Sequence, residues 1–281
     1  MSTRTAMLSD VHGNSVALRA VLEDIQDQRC TQLFMLGDII NGLDPHGCIR
    51  LLRDWSERGN VPLSCLKGNG EAYLLTPDRN ALASNAEEWN VDMLQLVQWW
   101  EDHLSADDME WLGSFHDLIR WNNACLVHDR PSDRLTPQSW HNPAIAPKYQ
   151  EWFYHAPGLT PQMPAADWQA LWALMDAHHF LQVFCGHSHI PFYREFEGRQ
   201  VCNIGSAGAS LDGDPRASWV LVTGSLGAQP EITIRRVAYD VGQFHRLIDQ
   251  TPYHGFQVPG YREAYKKWFA TGVHWKAFMP R

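Results

Sequence analysis

The first 70 residues alternate between short apolar runs and longer stretches in which apolar residues recur every three or four positions. The short runs predict three strands, at residues 3–8, 32–36 and 62–66. The longer stretches predict helices at about residues 15–29 and 46–58. Strand, helix and strand in this order, with short connections, are typical of parallel βαβ units. We therefore expect an α/β fold in which the carboxyl ends of the strands line a shared crevice.

The pattern beyond residue 77 divides into further regions. Residues 77–115 have helical spacing and predict an insertion that flanks the crevice. Residues 129–165 carry seven prolines and no periodicity, which favours a long, partly rigid loop that acts as a lid. Residues 252–281 are rich in aromatics and predict an extension that packs on the body or contacts a second copy of the chain. The other predicted elements are a helix at 165–178, a hairpin around residues 197–198 and strands at 118–121, 124–127, 181–185, 200–203, 219–223 and 231–237.

Composition and charge narrow the classes of partner. The chain has 281 residues, of which 44% are hydrophobic, so it can build a substantial core, and we expect a single domain over residues 1–281. The net charge of -9 and the lack of a Lys/Arg run argue against binding of extended nucleic acid or a membrane surface. Six scattered cysteines without a Cys-x-x-Cys pair, no charged-then-apolar leader and no apolar run of 18 residues favour a cytoplasmic protein.

Residues of the types that bind metal ions lie at the predicted strand ends. Asp10 and His12 are two positions apart at the end of the first strand, and period two directs both side chains to one face. The full set comprises two carboxylates, one amide and four imidazoles: Asp10, His12, Asp38, Asn69, His128, His187 and His189. This set suits two borderline divalent ions, with manganese our first expectation and iron, cobalt, nickel or zinc the alternatives. A water shared by two such ions loses a proton near neutral pH and attacks phosphorus in line.

These residues fall in five ordered blocks, and together the blocks resemble the calcineurin-like metallophosphoesterases. The blocks are Asp-x-His at 10–12, Gly-Asp at 37–38, Gly-Asn at 68–69, the isolated His128 and Gly-His-x-His at 186–189. The segment 203–218, with Asn-Ile-Gly-Ser-Ala-Gly followed by Asp-Gly-Asp-Pro-Arg-Ala-Ser, is similar to bacterial predicted phosphodiesterases related to diadenosine tetraphosphatases.

The resemblance implies a fold, a ligand set and an activity. The implied fold is a four-layer α/β/β/α sandwich with mixed sheets and a dimetal site at one edge. The implied ligands are Asp10, His12 and His189 for one ion, Asn69, His128 and His187 for the other, and Asp38 as the bridge. We assign Asp38, Asn69 and His128 to catalysis as well. The implied reaction is hydrolysis of a phosphate ester, a phosphodiester or a nucleotide pyrophosphate by a hydroxide held between the ions, and the implied partner is a small phosphorylated or nucleotide substrate.

Position 70 departs from the family pattern. The family usually has a histidine after the Gly-Asn pair, followed by Asp or Glu, and this histidine is taken as the proton donor to the leaving group, whereas this chain has Gly70. We expect either a leaving group that departs without protonation or a donor from elsewhere, for which the candidates are His46, His141 and His155. A second departure is Asp129, where glycine is common, and we expect its side chain to orient His128.

Each candidate for substrate binding has a structural alternative. Asn14 contacts phosphate or caps the helix that begins near residue 15. Arg216 clamps a phosphate or pairs with a neighbouring aspartate in a turn, and Arg130 has the same two alternatives in the predicted lid. For the whole protein, the alternative to an enzyme is a catalytically weak or inactive metal-bearing scaffold that binds a phosphorylated or protein partner. The oligomeric state is left open.

Overall fold

Two five-stranded sheets carry the architecture, and the computed structural model describes residues 3–59, 61–77, 93–131, 159–226 and 228–279. The strands are β1 (Arg4–Leu8), β2 (Gln32–Met35), β3 (Leu63–Cys65), β4 (Ile119–Trp121), β5 (Ala124–Leu126), β6 (Gln182–Cys185), β7 (Phe192–Phe196), β8 (Arg199–Asn203), β9 (Ala217–Thr223) and β10 (Glu231–Val237). The helices are α1 (Ser15–Asp27), α2 (Pro45–Gly59), α3 (Asn69–Leu75), α4 (Met93–His103), α5 (Ala106–Gly113), α6 (Ala165–Ala177), α7 (Val241–Gln250) and α8 (Tyr261–Thr271). Two short 3-10 turns, His254–Gln257 and Trp275–Phe278, lie before and after α8.

Both sheets are mixed: the first is parallel on one side and antiparallel on the other, and the second has a parallel centre with antiparallel edges. The first sheet has the order β10-β9-β1-β2-β3, and β1, β2 and β3 run parallel as the sequence predicted. The second has the order β4-β5-β6-β8-β7, and β5, β6 and β8 run parallel. Because the carboxyl ends of parallel strands meet at one edge, each sheet presents the loops after its central strands together.

Alternation along the strands separates three apolar layers. In β1, Met7 packs between the two sheets, whereas Ala6 and Leu8 face the layer that contains α1 and α2. In β6, Phe184 faces the space between the sheets, whereas Val183 faces α6. This period of two buries both faces of each sheet and places helices outside both. The four-layer α/β/β/α sandwich is therefore confirmed.

The insertion and the lid are described only in part. Within the predicted helical stretch 77–115, the structure describes α4 and α5, and Ser105 caps α5 by accepting a hydrogen bond of 3.1 Å from the Asp108 N–H. Residues 132–158, which make up most of the predicted lid, lie outside the described residues, and α6 begins at residue 165. In the described part of the chain, every helix is too short or too polar to cross a membrane.

The sequence did not predict α3, α7 or α8, whereas the hairpin predicted around residues 197–198 is confirmed as the β7-β8 pair. The aromatic C-terminal residues are buried in the same apolar layer as α1 and α2, so the extension packs on the body. Helix α8 lies between Gly260 and Gly272, and Asp240 caps α7 by accepting a hydrogen bond of 2.8 Å from the Gln243 N–H. Such capping residues mark helix ends in a sequence.

Candidate metal centre

Seven side chains gather where the parallel strands end. Each candidate ligand lies within four residues of the carboxyl end of a strand. From the first sheet come Asp10 and His12 after β1, Asp38 after β2 and Asn69 after β3; from the second come His128 after β5 and His187 and His189 after β6. A backbone contact joins the two sheets, because the N–H of His187 donates to Oδ2 of Asp10 over 2.8 Å.

The backbone at these positions is strained. Nine described residues other than glycine have φ in the left-handed region, and five of them are candidate ligands. These five are Asp10 (φ 55), His12 (φ 51), Asp38 (φ 58), His187 (φ 65) and His189 (φ 57). Such conformations cost about 1 to 3 kcal/mol each and persist where the surroundings enforce them, typically at functional sites. These five conformations therefore lower the stability of the folded state, and the surrounding structure must enforce them.

One set of donor atoms forms what we call the first donor group: Asp10, His12 and His189. Nε2 of His189 is 3.2 Å from Oδ1 of Asp10, and Nε2 of His12 is 3.8 Å from the same oxygen. Both Oδ1 of Asp10 and Nε2 of His12 are buried without a hydrogen-bond partner among the described residues. A buried polar atom without a partner is costly, so these two atoms require a ligand.

The second donor group comprises Asn69, His128 and His187. Oδ1 of Asn69 is 3.2 Å from Nε2 of His128 and 3.0 Å from Nδ1 of His187. The two imidazole nitrogens are 3.2 Å apart, so the three atoms form a nearly equilateral triangle. Three atoms with lone pairs at these distances suit either a shared proton or a cation.

Asp38 joins the two groups through one oxygen. Its Oδ2 is 3.4 Å from Nε2 of His12 and 3.6 Å from Nε2 of His128. Its Oδ1 accepts a hydrogen bond of 2.9 Å from the N–H of Gly70 and is therefore already used. The geometry thus differs from a bridge that uses both carboxylate oxygens, because a single oxygen faces both groups.

The spacing of the donors fits divalent ions. Donor atoms about 2.0 to 2.2 Å from a tetrahedral or octahedral ion lie about 2.8 to 3.6 Å from one another. Four of the five separations given above for the two groups lie between 3.0 and 3.2 Å, and the fifth, between His12 and Asp10, is slightly longer at 3.8 Å. Nδ1 of His128 donates to the Leu36 carbonyl over 2.6 Å and Nδ1 of His189 to the Ala209 carbonyl over 2.5 Å, which leaves each Nε2 free to bind an ion.

The carboxylates and imidazoles perturb each other strongly. Burial opposes ionisation of Asp10, but the His189 and His12 imidazoles outweigh it and hold the pKa of Asp10 well below its usual range. Burial likewise opposes the charged form of His12, but Asp10 and Asp38 together raise the pKa of His12 to about 9. The first donor group therefore retains a proton at neutral pH when it holds no ion, and a metal ion must compete with that proton.

Glu71 holds the candidate ligand turns in place, a role that the sequence did not reveal. Its carboxylate is fully buried and accepts backbone hydrogen bonds of 2.8 Å each from Gly68, Asp38 and Ile39, and one of 3.3 Å from Ile40. Burial and the nearby Asp38 charge raise the pKa of Glu71. Glu71 thus ties the loop that carries Asp38 to the turn that carries Asn69. The family pattern of an acidic residue at this position was the available signal.

The segment that follows β8 clamps the ligand loops together. The Asn203 amide nitrogen donates to the Gly186 carbonyl over 2.7 Å and to the Ser188 hydroxyl over 2.9 Å. The Ser206 hydroxyl donates to the Asp10 carbonyl over 2.6 Å. The Asn-Ile-Gly-Ser-Ala-Gly segment therefore fixes the loops that carry Asp10 and His189. In these contacts its side chains bind the protein backbone and a hydroxyl group.

The candidate substrate residues have structural partners. Asn14 is buried, accepts the Ala17 N–H over 3.0 Å as the cap of α1, and donates to the Gly208 carbonyl over 2.9 Å. The Arg216 guanidinium donates to the Asp214 carboxylate over 2.6 Å, which is the turn alternative. Arg130 is half-buried beside Asp129.

The alternative proton donors and Asp129 also have definite surroundings. Nδ1 of His46 is 2.8 Å from Oδ2 of Asp108, and its side chain is 54% exposed. His141 and His155 lie outside the described residues. Asp129 faces Nε2 of His187 at 3.9 Å, so the ring beside this carboxylate belongs to His187 and our expectation that it orients His128 is corrected.

Known proteins share this sequence pattern and fold. The family model described as the calcineurin-like phosphoesterase superfamily domain matches residues 4–225. An uncharacterized protein of Methanocaldococcus jannaschii is 25% identical over 265 residues, covering 86% of this chain and 90% of the relative. The crystal structure of a metallophosphoesterase from Sphaerobacter thermophilus has a TM-score of 0.65 at 23% identity and covers 97% of this chain and 100% of that chain. A hypothetical protein from Pyrococcus horikoshii has a TM-score of 0.68 at 15% identity and covers 91% and 97%.

These likenesses agree with the geometry of the site. The two structural likenesses show the fold, and the matched residues 4–225 include all seven candidate ligands. The donor groups supply what a divalent ion needs in charge, spacing and free lone pairs. The chain belongs to the calcineurin-like phosphoesterase superfamily and carries the residues of a metal-dependent phosphoesterase.

Proposed function

We propose that this protein is a binuclear metallophosphoesterase that hydrolyses a small phosphate ester, phosphodiester or nucleotide pyrophosphate. The observation that carries the proposal is the single oxygen Oδ2 of Asp38, which faces His12 at 3.4 Å and His128 at 3.6 Å. A carboxylate oxygen between two donor groups suits two ions that share a ligand. Manganese is the first choice of metal, since carboxylate and amide oxygens with imidazoles tolerate it, and iron, cobalt, nickel and zinc are the alternatives.

The residues would hold the ions and leave them positively charged. The first donor group would hold one ion, the second would hold the other, and Asp38 would contact both. Two divalent ions carry a charge of about +4, and Asp10 and Asp38 remove about 2 of it. Asn69 and the histidines are neutral ligands, so the site keeps a net positive charge toward a phosphate. When bound, such an ion pair polarises the phosphoryl oxygens and lowers the pKa of a water molecule enough for attack on phosphorus.

The chain supplies orientation for this chemistry. The carbonyls of Leu36 and Ala209 fix the rings of His128 and His189, and Glu71 fixes the backbone on either side of Asp38. Ligand side chains fixed in this way keep the reacting groups in one geometry. Such orientation supplies a large part of the rate enhancement of an enzyme over the reaction in solution. The low exposure of Asp10 and Asp38 excludes bulk water from these oxygens.

A panel of substrates tests the proposal. The protein would be loaded with manganese, its metal content measured, and turnover followed on p-nitrophenyl phosphate, bis-p-nitrophenyl phosphate and diadenosine tetraphosphate. We expect turnover of at least one of these, abolished in Asp38→Asn and retained in Asp107→Asn, whose carboxylate is exposed. Two bound ions without turnover on any of the three would contradict the enzyme and favour the metal-bearing scaffold.

A further inference from the structure

Asn41 occupies a fixed place between the two ligand turns. On one side, the Glu71 carboxylate holds the Ile39 and Ile40 N–H groups. On the other, the Gly42 carbonyl accepts a hydrogen bond of 3.2 Å from Nε1 of Trp100. The loop that carries Asn41 is therefore tied down before and after it, and its side chain is held beside the ligand turns.

The Asn41 side chain fills the space that a side chain at position 70 would need. A Cβ atom at Gly70 would overlap Oδ1, Cγ and Nδ2 of Asn41. The backbone of Gly70 does not have φ in the left-handed region, so its conformation does not require glycine. Among the three nearest atoms that an added Cβ would meet, all belong to the amide of Asn41, so this amide is what a side chain at position 70 would have to displace.

This amide has a hydrogen-bond acceptor without a partner next to Asp38, the candidate bridging ligand. Oδ1 of Asn41 is buried and has no hydrogen-bond partner among the described residues. Leaving such an acceptor unpaired costs about 1 to 3 kcal/mol, so a partner is expected in the working state. The neighbouring Gly70 donates its N–H to Asp38, which places the amide beside the bridging carboxylate.

We propose that Asn41 is a specificity-determining residue that contacts the substrate beside the bridging carboxylate. On this inference, which rests on the proposed function, the preferred substrates are aryl esters and phosphoanhydrides, whose leaving groups depart as stable anions. A carboxamide forms hydrogen bonds but does not transfer a proton at neutral pH. Among the described residues near the site, the Glu71 carboxylate already accepts four N–H groups, His46 is paired with Asp108, and Asp129 faces His187 at 3.9 Å. The P–O bond therefore breaks with the electron pair on the leaving oxygen, and solvent protonates that oxygen afterwards.

A stability cycle tests the placement of Asn41 without any turnover. Gly70→Ala is expected to destabilise the protein through the overlap with the amide, and Asn41→Ala, which removes the three overlapping atoms, is expected to restore most of the loss in the double variant. Gly113→Ala is the matched control, because an added Cβ there meets nothing within 4 Å. Equal effects of Gly70→Ala in the presence and absence of the Asn41 amide would overturn the placement.

A series of aryl phosphate esters with phenols of graded acidity tests the substrate class. The wild-type kcat/KM is expected to fall steeply as the phenol becomes less acidic. The double variant Asn41→Ala with Gly70→His installs an imidazole in the freed space and is expected to gain at least about 10²-fold on the least acidic phenol relative to Asn41→Ala alone. A shallow wild-type dependence would show that another proton donor acts and would overturn the inference. No turnover of any ester with both ions bound would instead overturn the proposed function. The stability cycle would still test the placement of the Asn41 amide, because it does not depend on turnover.

Discussion

The two donor groups share Asp38 but have different surroundings. The first lies against aromatic residues of the C-terminal extension: the Trp268 ring is 6.3 Å from the His12 ring and 6.5 Å from the His189 ring, measured between centroids. The second lies against polar groups, namely the Asn41 amide beside Gly70, the Glu71 carboxylate and Asp129. We call the first surrounding, around Trp268, the apolar wall, and the second, formed by Asn41, Glu71 and Asp129, the polar wall. The apolar wall fixes the histidine rings by packing. The polar wall fixes the backbone by hydrogen bonds and keeps polar atoms that a substrate could contact.

The two surroundings differ in the polar atoms that they could offer to a substrate. Trp268 is buried and its Nε1 donates to the Ser210 carbonyl over 2.9 Å, so it has no polar atom left to offer. Asn41 and Asp129 each retain a buried oxygen without a hydrogen-bond partner among the described residues. We therefore expect residue changes beside the first group to alter metal binding and changes beside the second to alter specificity.

The largest expected effect comes from breaking the link between the groups. Asp38→Asn replaces one carboxylate oxygen by an amide that cannot bridge two cations, and we expect kcat/KM to fall by at least about 10³-fold, about 4 kcal/mol. His12→Gln should remove the ion of the first group alone. Metal content by mass spectrometry checks both: Asp38→Asn should lose both ions, and His12→Gln should keep one. Full metal content in Asp38→Asn would contradict the shared oxygen.

The candidate ligands were predictable from the sequence because parallel strands impose a simple rule. Asp10, Asp38 and Asn69 follow apolar runs, and the carboxyl ends of adjacent parallel strands meet at one edge. The alternation of Met7 and Leu8 likewise follows from period two along β1. The parallel run of β1, β2 and β3 and the set of candidate ligands are thus consequences of local pattern and a general topological rule.

The supporting residues were not predictable, because their roles depend on contacts distant in the chain. Glu71 lies 33 positions from Asp38 in sequence and binds its backbone N–H. Asn41 has no periodic signal, and its importance arises only from its overlap with the space at Gly70. Trp268 lies beyond residue 225, where the family match ends, yet its ring packs on two ligands. Tertiary contacts, not local preferences, assign these roles.

The polar wall can be broken at Glu71. Glu71→Gln exchanges one acceptor oxygen for an NH₂ group that faces backbone N–H donors, so we expect a loss of about 3 kcal/mol in the free energy of unfolding. Urea denaturation of the metal-free protein measures it. The same exchange at the exposed Glu57 of α2 serves as the control and should change stability by less than about 0.5 kcal/mol. Equal effects at both positions would contradict the role of the buried carboxylate.

The apolar wall can be tested by a matched pair of tryptophans. Trp268 and Trp275 are similarly buried in the C-terminal extension, but only Trp268 is seen to pack on ligand rings. Both Trp268→Leu and Trp275→Leu should destabilise the protein. Trp268→Leu alone should weaken the tighter manganese site by about tenfold, since groups that orient ligands typically contribute that much or more. Isothermal titration calorimetry measures the affinity, and equal losses in the two variants would show that Trp268 acts through stability only.

The smallest expected effect concerns His274, which packs against Trp268 with ring centroids 5.1 Å apart. Burial, with help from the positive Lys276, lowers the pKa of His274 to about 3, so the folded protein keeps this ring neutral. In the unfolded chain the ring takes up a proton as the pH falls through about 6.5, which favours unfolding, so the folded state loses stability on the acid side. Between pH 7.5 and 6.0 the metal-free wild type should therefore lose about 0.8 kcal/mol more than His274→Gln. Urea denaturation at the two pH values measures this difference. Parallel losses in the two proteins would mean that the ring is accessible to protons in the folded state, and that the aromatic residues beside the first donor group do not exclude water.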